Sequence, residues 1–93
     1  MRLSFIVSGK VQGVGYRWFV KETAEKHNVR GWVRNTLDGS VEGEVQGSIA
    51  EVDGFLKEIK TGHPWAAVAG TETQEMLDTD AAEKDFYIKP TAE

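Results

Sequence analysis

The sequence predicts an α+β fold in which two helices pack on one face of an antiparallel sheet of four to five strands. Three observations carry that prediction. Apolar residues alternate with polar ones in short runs, and in two intervening stretches they return at helical spacing. Each helical stretch lies between two extended ones, giving β-α-β followed by β-α-β. The joints hold Gly, Pro and Asp-Gly signals that end one element before the next begins.

The first strand is Leu3 to Ser8, where Leu3, Phe5 and Val7 alternate with Ser4, Ile6 and Ser8. From Tyr16 the apolar positions become Tyr16, Phe19, Val20 and Ala24, with Lys21, Glu22, Glu25 and Lys26 opposite. That is one amphipathic helix, expected to end near His27-Asn28. Trp18 lies off its stripe and is expected to be partly buried. Val29 to Asn35 alternates again, with Val29, Gly31 and Val33 on one face. Thr36-Leu37-Asp38-Gly39-Ser40 carries a hairpin turn signal. A third strand follows from Val41 to Gln46, turning Val41, Gly43 and Val45 inward. Ser48 and Glu51 form a capping box, and the helix they open places Val52, Phe55, Leu56 and Ile59 at core spacing. Gly62 and Pro64 close it. Val68 to Met76 reads as a fourth strand, Asp78 to Glu83 as a polar connection, and Asp85 to Lys89 as a short last strand.

This order is the ferredoxin-like split β-α-β sandwich, here as a single domain over residues 1–93. Its topology has a consequence for chemistry. The first and second strands run parallel with the third between them, so their C-terminal ends share one edge. The first leads into the segment before Arg17, and the second ends at Asn35. Loops and helix N-termini converge at such edges and make binding sites there.

Composition narrows the function classes. With no cysteine, disulfides, zinc-thiolate sites and thiol nucleophiles are excluded. The N-terminal apolar run is too short for a signal peptide, and none approaches the ~18 residues of a membrane span. The expected location is cytoplasmic. A net charge of −4 gives no global field toward nucleic acid or an anionic membrane. An anion site would have to be a local basic pocket. No unused apolar stripe is left over, so a monomer is expected.

The segment Gly9-Lys10-Val11-Gln12-Gly13-Val14-Gly15-Tyr16-Arg17 joins the first strand to the first helix. A glycine-bearing loop opening a helix presents unpartnered N–H groups, and the helix dipole adds positive potential. Arg17 supplies a fork of donors suited to phosphate oxygens. The glycine spacing matches neither the dinucleotide fingerprint nor the Walker loop, so a nucleotide site is disfavoured. Glycines between a strand and a helix also serve as plain turn punctuation.

Taken whole, Val7 to Arg17 resembles the first signature of the acylphosphatase family, and Gly31-Trp32-Val33-Arg34-Asn35, followed by Gly39, Val41 and Gly47, resembles the second. The resemblance spans the chain and implies the same fold. It implies hydrolysis of carboxyl–phosphate mixed anhydrides to a carboxylate and inorganic phosphate, without metal, cofactor or covalent intermediate. Arg17 matches the arginine that holds the phosphate, together with backbone amides around Gln12, Gly13, Val14, Gly15 and Tyr16. Asn35 matches the asparagine that positions the attacking water. The implied partners are a small acyl phosphate and inorganic phosphate.

Two positions depart from the family pattern. Tyr16 stands where phenylalanine is usual, which adds a hydroxyl in need of a partner. His63 replaces the first proline of a Gly-Pro-Pro-x-Ala-x-Val segment, so His63 and Trp65 are candidates for altered substrate preference. His27 is expected to meet the last carbonyls of its helix rather than a metal. Asp38 is expected to shape its turn. Trp32 and Trp65 offer stacking surfaces, although sheet and surface packing is the general expectation for such residues. The rival reading is a non-catalytic anion- or small-molecule-binding module on the same fold.

Overall fold

Along the chain, the computed structural model, which describes residues 1–78 and 83–92, forms seven elements in the expected order. These are β1 (Arg2–Lys10), α1 (Tyr16–Lys26), β2 (Arg30–Asn35), β3 (Val41–Gln46), α2 (Ile49–Thr61), β4 (Ala67–Met76) and β5 (Phe86–Ile88). The polar connection expected over 78–83 falls mostly on residues 79–82, which lie outside the described residues.

The sheet order is β4-β1-β3-β2-β5. Val41 of β3 pairs with Val7 on one side and Asn35 on the other, so β1 and β2 run parallel and reach the same level. The sheet is not wholly antiparallel, because β5 pairs parallel to β2. The reason is where β4 finishes. Its Met76 lies beside Arg2, at the end of the sheet where β2 also starts. A chain that crosses that end and re-enters on the far edge must run in the direction of β2.

Alternation places Leu3, Phe5, Val7, Val33, Val41 and Val45 under the helices, and Tyr16, Val20, Ala24, Val52, Phe55 and Ile59 come down onto them. Phe55 is central, packing edge-on against Phe5 at 5.7 Å and tilted against Phe86 at 5.8 Å between ring centroids. The capping box of α2 forms in full: Glu51 N–H donates to Ser48 Oγ at 3.1 Å, and Ser48 N–H donates to the Glu51 carboxylate at 3.0 Å. Gly62 does end α2, but in the right-handed region at φ −86. Glycine is needed there for room, since a Cβ would come within 2.8 Å of the Phe19 ring.

His27 departs from expectation. Its ring meets Glu58 on α2, with Nε2 3.1 Å from Oε1, and not the carbonyls of its own helix. Those carbonyls are already taken: Thr23, Ala24 and Glu25 accept from the backbone of His27, Val29 and Asn28 as the chain turns through Asn28 at φ 57.

Candidate active site

The two helices treat their N-termini differently. That of α2 is sealed by its own capping box. That of α1 begins after Gly15 with no side-chain cap and no acidic residue in the first turn. Its positive end therefore faces outward without a built-in counter-charge. Gly13 and Gly15, at φ 76 and 75, turn the preceding loop through the left-handed region. A Cβ at either would meet nothing, so backbone conformation and not space demands glycine there.

Val11, Gly13, Gly15, Tyr16, Arg17, Trp18 and Asn35 line one cavity of about 100 Å³ at this edge. Arg17 is unclaimed by any carboxylate among the described residues, whereas Arg2 pairs with Glu44 and Glu83 and Arg34 with Glu42. Asn35 brings a second unspent group. Its Oδ1 is buried and has no hydrogen-bond partner among the described residues. Its backbone carbonyl is held by the amide of Ala92 at 3.0 Å. The cavity thus brings together Arg17, the open end of α1 and Asn35, whose buried side-chain oxygen has no partner among the described residues.

The remaining loop residues serve from behind. Gln12 turns its side chain away, and its Nε2 donates to the carbonyls of Thr36 at 2.9 Å and Ser40 at 2.7 Å. Val14 packs half-buried against the core. The Tyr16 ring is buried, and its hydroxyl donates to the Ile59 carbonyl at 2.6 Å, so only its backbone belongs to the loop. Burial raises the pKa of that hydroxyl and keeps it a donor. Asp38 holds the adjoining turn, accepting from the Thr36 hydroxyl and from Ser40 N–H. These two bonds, the first foremost, keep its carboxyl below the ordinary range.

The candidates for substrate preference and stacking also have defined places. His63 accepts from the amides of Trp65 and Ala66 at 3.2 and 3.1 Å and packs edge-on against Phe19 and Tyr16. Neither His63 nor Trp65 lines the cavity. Trp32 lies under Arg34 and Lys89, at 4.9 and 4.5 Å from its ring centre. Trp18, off the buried stripe, is only partly buried as expected, at 63% exposed, and it lines the cavity. Two contributions escaped the sequence: the Gln12 side chain and Trp18. The signal for Trp18 was its place directly after Arg17, off the buried stripe.

A larger hollow of about 510 Å³ lies at the other end of the sheet. It mixes Arg30 and Lys84 with Glu25, Glu51 and Asp85, a balance of charge unlike a phosphate seat. Among the described residues, no three His, Asp or Glu side chains gather to hold a metal ion.

Comparison with known proteins points one way. The sequence profile of the family described as Acylphosphatase matches residues 3–88. An acylphosphatase of Moorella thermoacetica is 47% identical over 96% of this chain and 94% of its own. One of Bacillus licheniformis is 40% identical over 90% of this chain and 93% of its own. The crystal structure of acylphosphatase from Bacillus subtilis superposes with a TM-score of 0.88 at 34% identity, covering 95% of this chain and 97% of that one. Full-length HypF, in a phosphate- and nucleotide-bound form, contains a similar unit. It gives a TM-score of 0.86 at 32% identity, covering 97% of this chain but 12% of HypF.

Proposed function

The chain belongs to the acylphosphatase family and is an enzyme of acyl phosphate hydrolysis, and from that premise we propose how its residues divide the work. Arg17 and the backbone amides from Gln12 to Tyr16 hold the phosphoryl oxygens, and Asn35 orients the attacking water. The observation that carries this reading is the meeting of the unpaired Arg17, the uncapped end of α1 and the unpartnered Asn35 Oδ1 around one cavity.

In this scheme water donates a hydrogen bond to Asn35 Oδ1 and adds to phosphorus in line with the departing carboxylate. The P–O bond to the acyl group breaks, and its electron pair leaves with the carboxylate. The proton of the water passes to a phosphoryl oxygen of the substrate, so no side-chain base is required. A carboxylate is a good leaving group, and positioning with charge stabilisation supplies the catalysis. Arg17 holds the phosphoryl oxygens in the ground state and more strongly as charge gathers on them in the transition state.

The test is a pair of measurements on the wild type and Arg17→Gln. Inorganic phosphate should compete with benzoyl phosphate in the wild type. The variant should lose phosphate affinity and turnover together. Phosphate that binds without competing, or a variant with unchanged affinity, would rule the cradle out. Binding in the absence of any turnover would instead favour a non-catalytic anion-binding module.

A further inference from the structure

The cavity around Arg17 and Asn35 measures about 100 Å³, the liquid volume of roughly three waters. A phosphoryl group and the attacking water take up most of that space, which directs the organic half of a mixed anhydride toward the open side of the cavity. Of the residues lining the cavity, Val11 and Tyr16 have buried side chains. Trp18, 63% exposed, is the lining residue with a large apolar side chain in solvent.

Packing does not account for a tryptophan at that position. Trp18 stands beside Arg17 in the first turn of α1, off the buried stripe of Tyr16, Val20 and Ala24. Its ring makes no aromatic contact among the described residues, although Tyr16 and Phe19 on the same helix do. A helix face open to water is ordinarily polar. The other exposed candidates are elsewhere: Trp65 does not line the cavity, and Trp32 already carries Arg34 and Lys89 over its ring.

We infer that Trp18 is a specificity-determining residue, seating the acyl group and favouring acyl phosphates whose acyl part is aromatic or broad and apolar. The inference rests on the proposed phosphate cradle. A flat ring stacked on the indole removes apolar surface from water on both partners, while an acetyl group covers little of it. The preference appears in KM, because the stacked group lies away from the reacting atoms and is held alike before and during reaction.

The experiment compares Trp18→Ala and Trp18→Phe with the wild type, using benzoyl and acetyl phosphate as substrates. Calorimetry with phenylphosphonate and methylphosphonate reads binding independently of turnover. Trp18→Ala should raise KM for benzoyl phosphate and weaken phenylphosphonate by about tenfold, with kcat close to wild type. Acetyl phosphate and methylphosphonate should be unaffected, and Trp18→Phe should recover most of the loss. Equal change on both members of each pair, or none, overturns the assignment and leaves the cradle standing. A wild-type protein that hydrolyses neither substrate and binds neither phosphonate removes the cradle itself, and Trp18 with it.

Discussion

The side-chain amide of Gln12 donates to the backbone carbonyl of Thr36 at 2.9 Å, tying the cradle loop to the residue that follows Asn35. The same nitrogen reaches Ser40, at 2.7 Å, across the mouth of the hairpin turn. One planar amide with two hydrogens therefore spans the two chain segments from which the site is built. The loop after β1 supplies the proposed phosphate seat, and the end of β2 supplies the proposed water-positioning group. Neither segment fixes the other through the sheet alone, because β3 separates their strands.

Gln12→Ala is expected to lower kcat by about tenfold or more, since small losses of alignment at a reacting centre are costly. Affinity for inorganic phosphate should change much less, because Arg17 and the loop amides remain. Gln12→Met, which keeps the length but has no hydrogen to donate, should behave like the alanine variant. Initial rates and phosphate calorimetry on both variants decide it. A fall in affinity as large as the fall in kcat would mean that Gln12 only shapes the cradle.

Tyr16 provides a separable case. Its hydroxyl satisfies the Ile59 carbonyl in the last turn of α2, where carbonyls lack helical partners. Tyr16→Phe should destabilise the fold by about 1–3 kcal/mol by leaving a buried carbonyl unpaired. Urea denaturation measures that loss. Activity at low denaturant should stay near wild type, because only the Tyr16 backbone faces the cavity.

Much of this was legible in the sequence because it follows from local periodicity. Alternation named the inward faces of β2 and β3, Ser48 and Glu51 announced the start of α2, and the split order brought Arg17 and Asn35 to one edge. The direction of β5 was not legible, since three residues carry too little pattern to say which way they pair. The place of Trp18 on the cavity was hidden for a related reason. Spacing identifies which helix positions face the core, and it leaves open how far the others stand from neighbouring loops. Gln12 was read as a backbone donor, and where its side chain goes depends on contacts 24 to 28 residues away. His27 was misplaced because the backbone itself used the carbonyls that its ring was expected to meet.

Asp38 makes the stability of the hairpin depend on pH. Donation from the Thr36 hydroxyl, and next from the Ser40 amide, lowers its carboxyl pKa in the folded protein. A group depressed on folding adds stability that is fully present above its unfolded pKa. That stability is lost as pH falls through the lower folded value. Asp38→Asn should accordingly be less stable than wild type at neutral pH, and the gap should close in acid. Urea midpoints of both proteins across the acidic range test this. A gap that stays constant would show that the carboxylate charge contributes nothing to the turn.

Asn35 separates stability from function in the opposite direction. Its Oδ1 is buried without a partner among the described residues, an arrangement that costs folding free energy. Such a cost is sensible if the oxygen is kept for a water that arrives with substrate. Asn35→Ala removes the unsatisfied oxygen, so the variant should be at least as stable as wild type despite its smaller side chain. The backbone bond from Ala92 survives the change, which keeps the end of β2 in place. Phosphate affinity should remain nearly normal, held by Arg17 and the loop. Turnover should fall by ~10²-fold or more, as expected when a positioning group is lost. Urea denaturation, phosphate calorimetry and benzoyl phosphate kinetics on one preparation give all three quantities. A variant that loses stability and phosphate together would make Asn35 a structural residue, and unchanged rates would remove it from the reaction.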